Sequence, residues 1–152
     1  MSDNSGYTIK KELEQIRYRR HQLLIICGVN RTKIIQDITR ELAIPRINLS
    51  LKLSEELLEV PVARRSRKVS QLVDKLVSES TGEILCFEHI ELLFHPLLQQ
   101  DPMRILENIS RNKIILVSWN GHYANGRLTY AEPEHPEYRA YNELEASVFA
   151  ID

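Results

Sequence analysis

The sequence predicts an α/β fold, a mainly parallel sheet layered between helices. Three observations lead there. Short, near-continuous apolar runs recur at residues 22–27 (QLLIIC), 84–87 (ILCF) and 114–117 (IILV), as strands covered on both faces require. Between them lie segments whose apolar residues repeat every three to four positions. Each run also stops at a turn-forming or polar residue (Gly28, Glu88, Ser118) before the period changes. Strands and helices that alternate in this way build a sheet with helices on its faces.

Taken in order, residues 8–20 read as a helix, with Ile9, Leu13 and Ile16 on one stripe and cations toward its end. Residues 22–27 form the first buried strand, closed by Gly28. Asn30, Arg31 and Thr32 start a helix whose stripe is Ile34, Ile35, Ile38 and Leu42, and Pro45 ends it. Residues 47–53 alternate apolar and polar, which predicts a second strand. Residues 55–67 are ambiguous, interrupted by Pro61. From Ser66, the positions Val69, Leu72, Val73, Leu76 and Val77 make one helical face, stopped by Thr81 and Gly82. After the strand at 84–87, Asp101 and Pro102 form an N-cap and first turn for a helix bearing Ile105, Leu106 and Ile109. The strand at 114–117 follows, and Leu128, Thr129 and Tyr130 suit a short edge strand.

Composition bounds the reading. The chain has 152 residues, of which 43% are hydrophobic and 27% charged, so it is neither disordered nor collagen-like. One domain over residues 1–152 is expected, with an N-terminal helix within 1–21 and a Tyr/Pro/Glu-rich extension over 122–152. Such a chain buries roughly two-thirds of its unfolded surface without staples. Cys27 and Cys86 lie inside apolar runs and read as reduced core residues. No apolar run reaches membrane-spanning length and the first residues lack a secretory pattern, so a cytoplasmic protein with no membrane partner is expected. Residues 132–152 hold six acids and one Arg, which leaves +4 on the first 131 residues. A mildly basic body with an acidic tail is not a simple polyanion binder.

Ligands of such sheets bind beyond the carboxyl ends of the strands. The strand–CGVNRTKI–helix context is that of a phosphate-binding loop, in which small residues let backbone N–H groups wrap phosphates, a Lys reaches the outer phosphates and a hydroxyl meets magnesium. Gly28, Asn30, Arg31, Thr32 and Lys33 are the nucleotide-binding candidates, with Asn30 able to take a positive φ in place of glycine. The strand ILCFE places Glu88 where a carboxylate would hold a magnesium-bound water. Glu91 is the nearest second acid, and Ser118 or Asn120 could orient the attacking water. Together these residues suggest a P-loop NTPase-like three-layer sandwich that uses ATP and magnesium. Each also has a plainer reading: Lys33 as a solvated helix-start cation, Glu88 as a strand-end polar residue.

Arg111, at a helix end, could reach a neighbouring subunit's nucleotide, or simply face solvent there. Arg64, Arg65, Arg67 and Lys68 form a basic patch open to solvent, nucleic acid or an acidic partner. Arg17, Tyr18, Arg19 and Arg20 invite the same reading. The histidines lack metal-ligand spacing, so no metal site is expected. No nucleophile elbow is present, and neither Cys has a poised neighbour.

The stretches DPMRILENISRN (101–112) and GRLTYAEPEHPEYRAY (126–141) resemble the BrxF family, small P-loop proteins of type III bacteriophage-exclusion (BREX) defence systems. The likeness runs from the first strand to Tyr141. It implies an accessory component of a bacterial antiphage complex that includes an adenine methyltransferase, a phosphatase-like protein, a large ATPase and helicases, with possible DNA contact or homo-oligomerisation. Three departures accompany it: Thr32 stands where glycine is expected, Ile34 where a hydroxyl is expected and Glu88 where Asp is expected. A Cβ at the loop obstructs close approach of phosphate, and loss of the hydroxyl removes a magnesium ligand. The expectation is an interaction protein with a degenerate nucleotide site; the alternative is an ATPase completed by oligomerisation or a partner.

Overall fold

The computed structural model describes residues 5–151. Its centre is a five-stranded sheet in which every pairing is parallel. The strands are β1 (Leu23–Gly28), β2 (Arg46–Asn48), β3 (Ile84–Glu88), β4 (Ile114–Trp119) and, after three intervening strands, β8 (Ser147–Ile151). Their order across the sheet is β2-β3-β4-β1-β8. α1 (Ser5–Ile16) and α2 (Arg31–Glu41) cover one face, while α3 (Leu49–Leu57), α4 (Arg65–Glu79) and α5 (Pro102–Ile109) cover the other. The result is a three-layer α/β sandwich.

Strand alternation divides the core in two. Leu24, Ile26, Cys86, Ile114 and Leu116 point toward α1 and α2, meeting Ile9, Leu13, Ile16, Ile35 and Ile38. Leu23, Ile25, Leu85, Phe87, Ile115 and Val117 point the other way, onto α3, α4 and α5. Strands loaded on both sides carry no polar face, which is why their sequences are continuous apolar runs. Both cysteines are buried and free, and burial pushes the Cys86 thiol above its ordinary range.

Several expectations change. The first helix ends at Ile16, and residues 17–21 form turns. Of the strand expected over 47–53, only Ile47 and Asn48 pair, within β2; from Leu49 the chain is helical, because Leu49, Leu53 and Leu57 bury one face at a spacing of four. Asn48 caps that helix by accepting from the Leu51 N–H at 3.0 Å. Leu42 lies just past α2 and is exposed. Residues 128–130 are not an edge strand. They belong to β6 (Arg127–Tyr130), the middle of an antiparallel sheet between β5 (Gly121–Ala124) and β7 (Arg139–Tyr141).

This small sheet accounts for much of the Tyr-rich extension. Tyr130 stacks on Phe94, with ring centroids 3.6 Å apart, and both present edges to the buried Trp119. Tyr141 adds a further edge contact to Trp119, whose indole N–H donates to the Thr129 carbonyl at 2.9 Å. The four rings clasp the small sheet to the large one.

The extension then returns to the main sheet as β8, which pairs along β1 from Leu24–Ser147 to Gly28–Ile151. Ser147 Oγ donates to Glu12 Oε1 at 2.7 Å and accepts from Arg19 at 2.6 Å, so α1 and the turn after it hold the start of β8.

Candidate functional site

After β1 the chain crosses to the α1/α2 face, whereas after β4 it crosses to the opposite face. Adjacent strands that diverge in this way open a crevice at their carboxyl ends. A cleft of about 260 Å³ lies there, walled by Arg31, Thr32, Glu88, Glu91, Ser118 and Asn120, with the Tyr130 phenol at its edge. The sequence placed these residues at three separate strand ends, and the fold brings them together.

The cation of the cleft is Arg31. Its Nε donates to Ser118 Oγ at 3.1 Å, tying the start of α2 to the end of β4. Lys33 does not line the cleft. Two residues along a helix turn about 200°, so Lys33 leaves on another face. It is 76% exposed and pairs with Asp37 at 3.2 Å. Ile34, at the position of the magnesium hydroxyl, is buried in the core beneath α2.

Glu88 is 15% exposed and already partnered, accepting from Arg46 Nε at 2.9 Å. That hydrogen bond raises the Arg46 pKa above its ordinary value. Glu91 is more exposed, with Oε1 3.4 Å from His89 Nδ1. His89 takes a left-handed backbone, φ 56°, and its carbonyl accepts from both the N–H and the hydroxyl of Ser50. Ser50 also accepts from the Leu92 N–H. It is the pin that sets the turn after β3, and with Arg46 it is what sequence reasoning missed; Ser50 lies in the segment read as a strand over 47–53, and Arg46 just before it. Burial, then the charges of Glu91 and Glu137, push the Tyr130 phenol upward.

The loop itself is occupied by the protein. Asn30 has φ 62°, the left-handed conformation expected of it. Gly28 has φ 107°, and a Cβ there would meet the Ile151 carbonyl oxygen at 1.8 Å. The Val29 N–H donates to that same oxygen at 3.2 Å. Both that φ and the backbone of β8 demand glycine at this position. A second hollow, about 240 Å³, adjoins the cleft between Val29, His122 and Glu132, with Arg31 and Asn120 shared by both.

These residues do not fit magnesium–ATP. The loop N–H at Val29 is engaged, the lysine is turned outward, the hydroxyl position is a core isoleucine, and the carboxylate is held by an arginine. Among the described residues no three His, Cys, Asp or Glu side chains gather in a way that could hold a metal ion.

Arg111 lies at the amino edge of the sheet, opposite the cleft, where its carbonyl accepts from Gln22 Nε2 at 3.0 Å. Arg64 closes a short 3-10 turn (Val62–Arg64), and Arg65, Arg67 and Lys68 open α4 on the other face from α2. Arg65 Nε donates to the Val60 carbonyl at 3.0 Å. No helix among the described residues is long and apolar enough to cross a membrane. A scan against protein-family models and searches of curated proteins and of solved structures return no match to this chain.

Proposed function

We propose that this chain is an accessory, P-loop-fold component of a bacterial antiphage BREX complex that acts through protein contacts and carries a silent nucleotide site. The BREX assignment rests on the sequence likeness over residues 101–112 and 126–141. The silence of the site rests on one observation: the Ile151 carbonyl sits on the loop after β1, against Gly28 and on the Val29 N–H, where a phosphate would have to approach. The outward Lys33–Asp37 pair and the Arg46–Glu88 pair support the same reading. The partners are the other components of the complex, met by surfaces outside the cleft such as the basic start of α4.

The test is calorimetric titration of ATP with magnesium into the protein, alongside phosphate release with and without the methyltransferase, the phosphatase-like protein and the large ATPase. The expected results are no binding heat and no turnover in either setting, with phage exclusion unaffected by Lys33→Ala and lost with Arg64→Glu. Turnover that appears with the partners and vanishes in Lys33→Ala would establish the ATPase instead.

A further inference from the structure

At the amino edge of the sheet, opposite the cleft, a separate hollow of about 350 Å³ is lined by Arg17, Tyr18, Glu83, Asn112 and Lys113 among others. We propose that it binds an unpaired nucleotide of a single-stranded nucleic acid. The inference does not depend on the nucleotide site or on the defence assignment.

Tyr18 carries the argument. It is 87% exposed, the most exposed large apolar side chain among the described residues, and it stands between Arg17 and Arg19 in the turn after α1. A ring with so little packing contributes nothing to the core. An aromatic ring that shares a hollow with an arginine is what stacks an unpaired base, because every base offers a π-face and every linkage a phosphate. Duplex bases are already stacked and cannot use such a platform.

The surroundings supply the rest. Gln22 draws the turn bearing Arg111 alongside, donating to the Arg111 carbonyl through Nε2 and to the Ser110 carbonyl through its N–H at 2.8 Å. Arg17, Arg20 and Arg111 therefore share one edge, and no ion pair among the described residues engages any of them. By contrast, Lys10, Lys33, Arg40, Arg46 and Lys75 all have carboxylate partners. Lys113 is fixed by the carbonyls of Val77 and Ser80 at the end of α4, adding charge without mobility. Within the hollow, the Asn112 amide and the Glu83 carboxylate can meet a base edge, the carboxylate accepting from an exocyclic amine. An acidic protein would also answer the arginines; the ring beside a hollow lined with amide and carboxylate groups favours a base.

The test is fluorescence anisotropy of the full chain with labelled single-stranded DNA, single-stranded RNA and duplex DNA, each about 12 nucleotides long. Salt is varied from about 50 to 200 mM. Single strands are expected to bind and the duplex to bind at least about tenfold more weakly; the DNA and RNA arms show whether the 2′-hydroxyl is read. Tyr18→Ala is expected to weaken single-strand binding about tenfold while Tyr18→Phe retains it. Arg17→Ala and Arg111→Ala are expected each to flatten the log–log salt slope by about 0.7. Unchanged circular dichroism would show that these surface variants fold. Absence of binding at low salt, equal affinity for duplex, indifference to Tyr18→Ala, or loss of binding through Arg64→Ala in place of Arg17→Ala would each overturn the proposal.

Discussion

Gly28→Ala tests the structure where fold and function meet. Two terms oppose an alanine there. The backbone has φ 107°, and holding an L-residue in such a conformation costs about 1–3 kcal/mol. The new Cβ would also lie 1.8 Å from the Ile151 carbonyl oxygen, an overlap that only backbone movement can relieve. Forced overpacking of this kind adds about 1–3 kcal/mol. Gly82→Ala separates the terms: Gly82 has φ 85° and nothing within 4 Å of its would-be Cβ, so it reports backbone conformation alone. We expect Gly28→Ala to lose about 2–6 kcal/mol in urea unfolding and Gly82→Ala about 1–3 kcal/mol. Because β8 is an edge strand, the overlap is relieved most cheaply by releasing it. Hydrogen exchange of the Ser147–Ile151 amides should therefore accelerate in Gly28→Ala and stay slow in Gly82→Ala. Equal losses in the two variants, with β8 still protected, would refute the claim that β8 imposes the glycine.

Phe94→Ala removes a buried ring that stacks on Tyr130 and meets Trp119, and should cost about 3–5 kcal/mol with loss of the near-ultraviolet dichroism of Trp119, read by thermal and urea melts. Arg46→Ala leaves the shielded Glu88 carboxylate without its guanidinium and should cost about 1–2 kcal/mol in the same melts, whereas Arg46→Lys recovers part of that. Burial raises the Tyr141 phenol from 10.0 to about 12. Its contribution to stability is thus whole below about pH 10, where folded and unfolded chains both keep the proton. It falls as pH climbs toward about 12, because the unfolded chain ionises first. Urea midpoints across that range should decline in the parent and decline less in Tyr141→Phe.

Much of the architecture was readable residue by residue. Runs such as LLIIC and IILV admit few environments other than a strand covered on both sides, and Asp101–Pro102 names a helix start by its chemistry, with Asp101 accepting from the Arg104 N–H as a cap should. Leu49, Leu51 and Leu53 defeated the same approach. Over five residues they satisfy a period of two, and only Leu57, one turn on, reveals the helix. β8 was invisible for a different reason: SVFAI has no cap or turn to mark it, and its place is set by pairing with a strand some 120 positions earlier. In the cleft, the strand-end residues Glu88, Ser118 and Asn120 were legible because strand ends converge by topology. Arg31 and Lys33 were both candidates, and giving Lys33 the part of the reaching cation followed motif letters. Helical geometry decides it the other way, and the bond from Arg31 to Ser118 joins residues 87 apart that no local pattern links.

Among the described elements, the strand that completes the central sheet is also the last to be made. Ribosomal synthesis runs from the amino end, so the outer margin of β1 stays bare until residues 147–151 emerge. A nascent chain in that state offers a ready template for strand exchange with another nascent chain on the same polysome. The contacts of Glu12 and Arg19 with Ser147 then hold the start of that strand once it has paired.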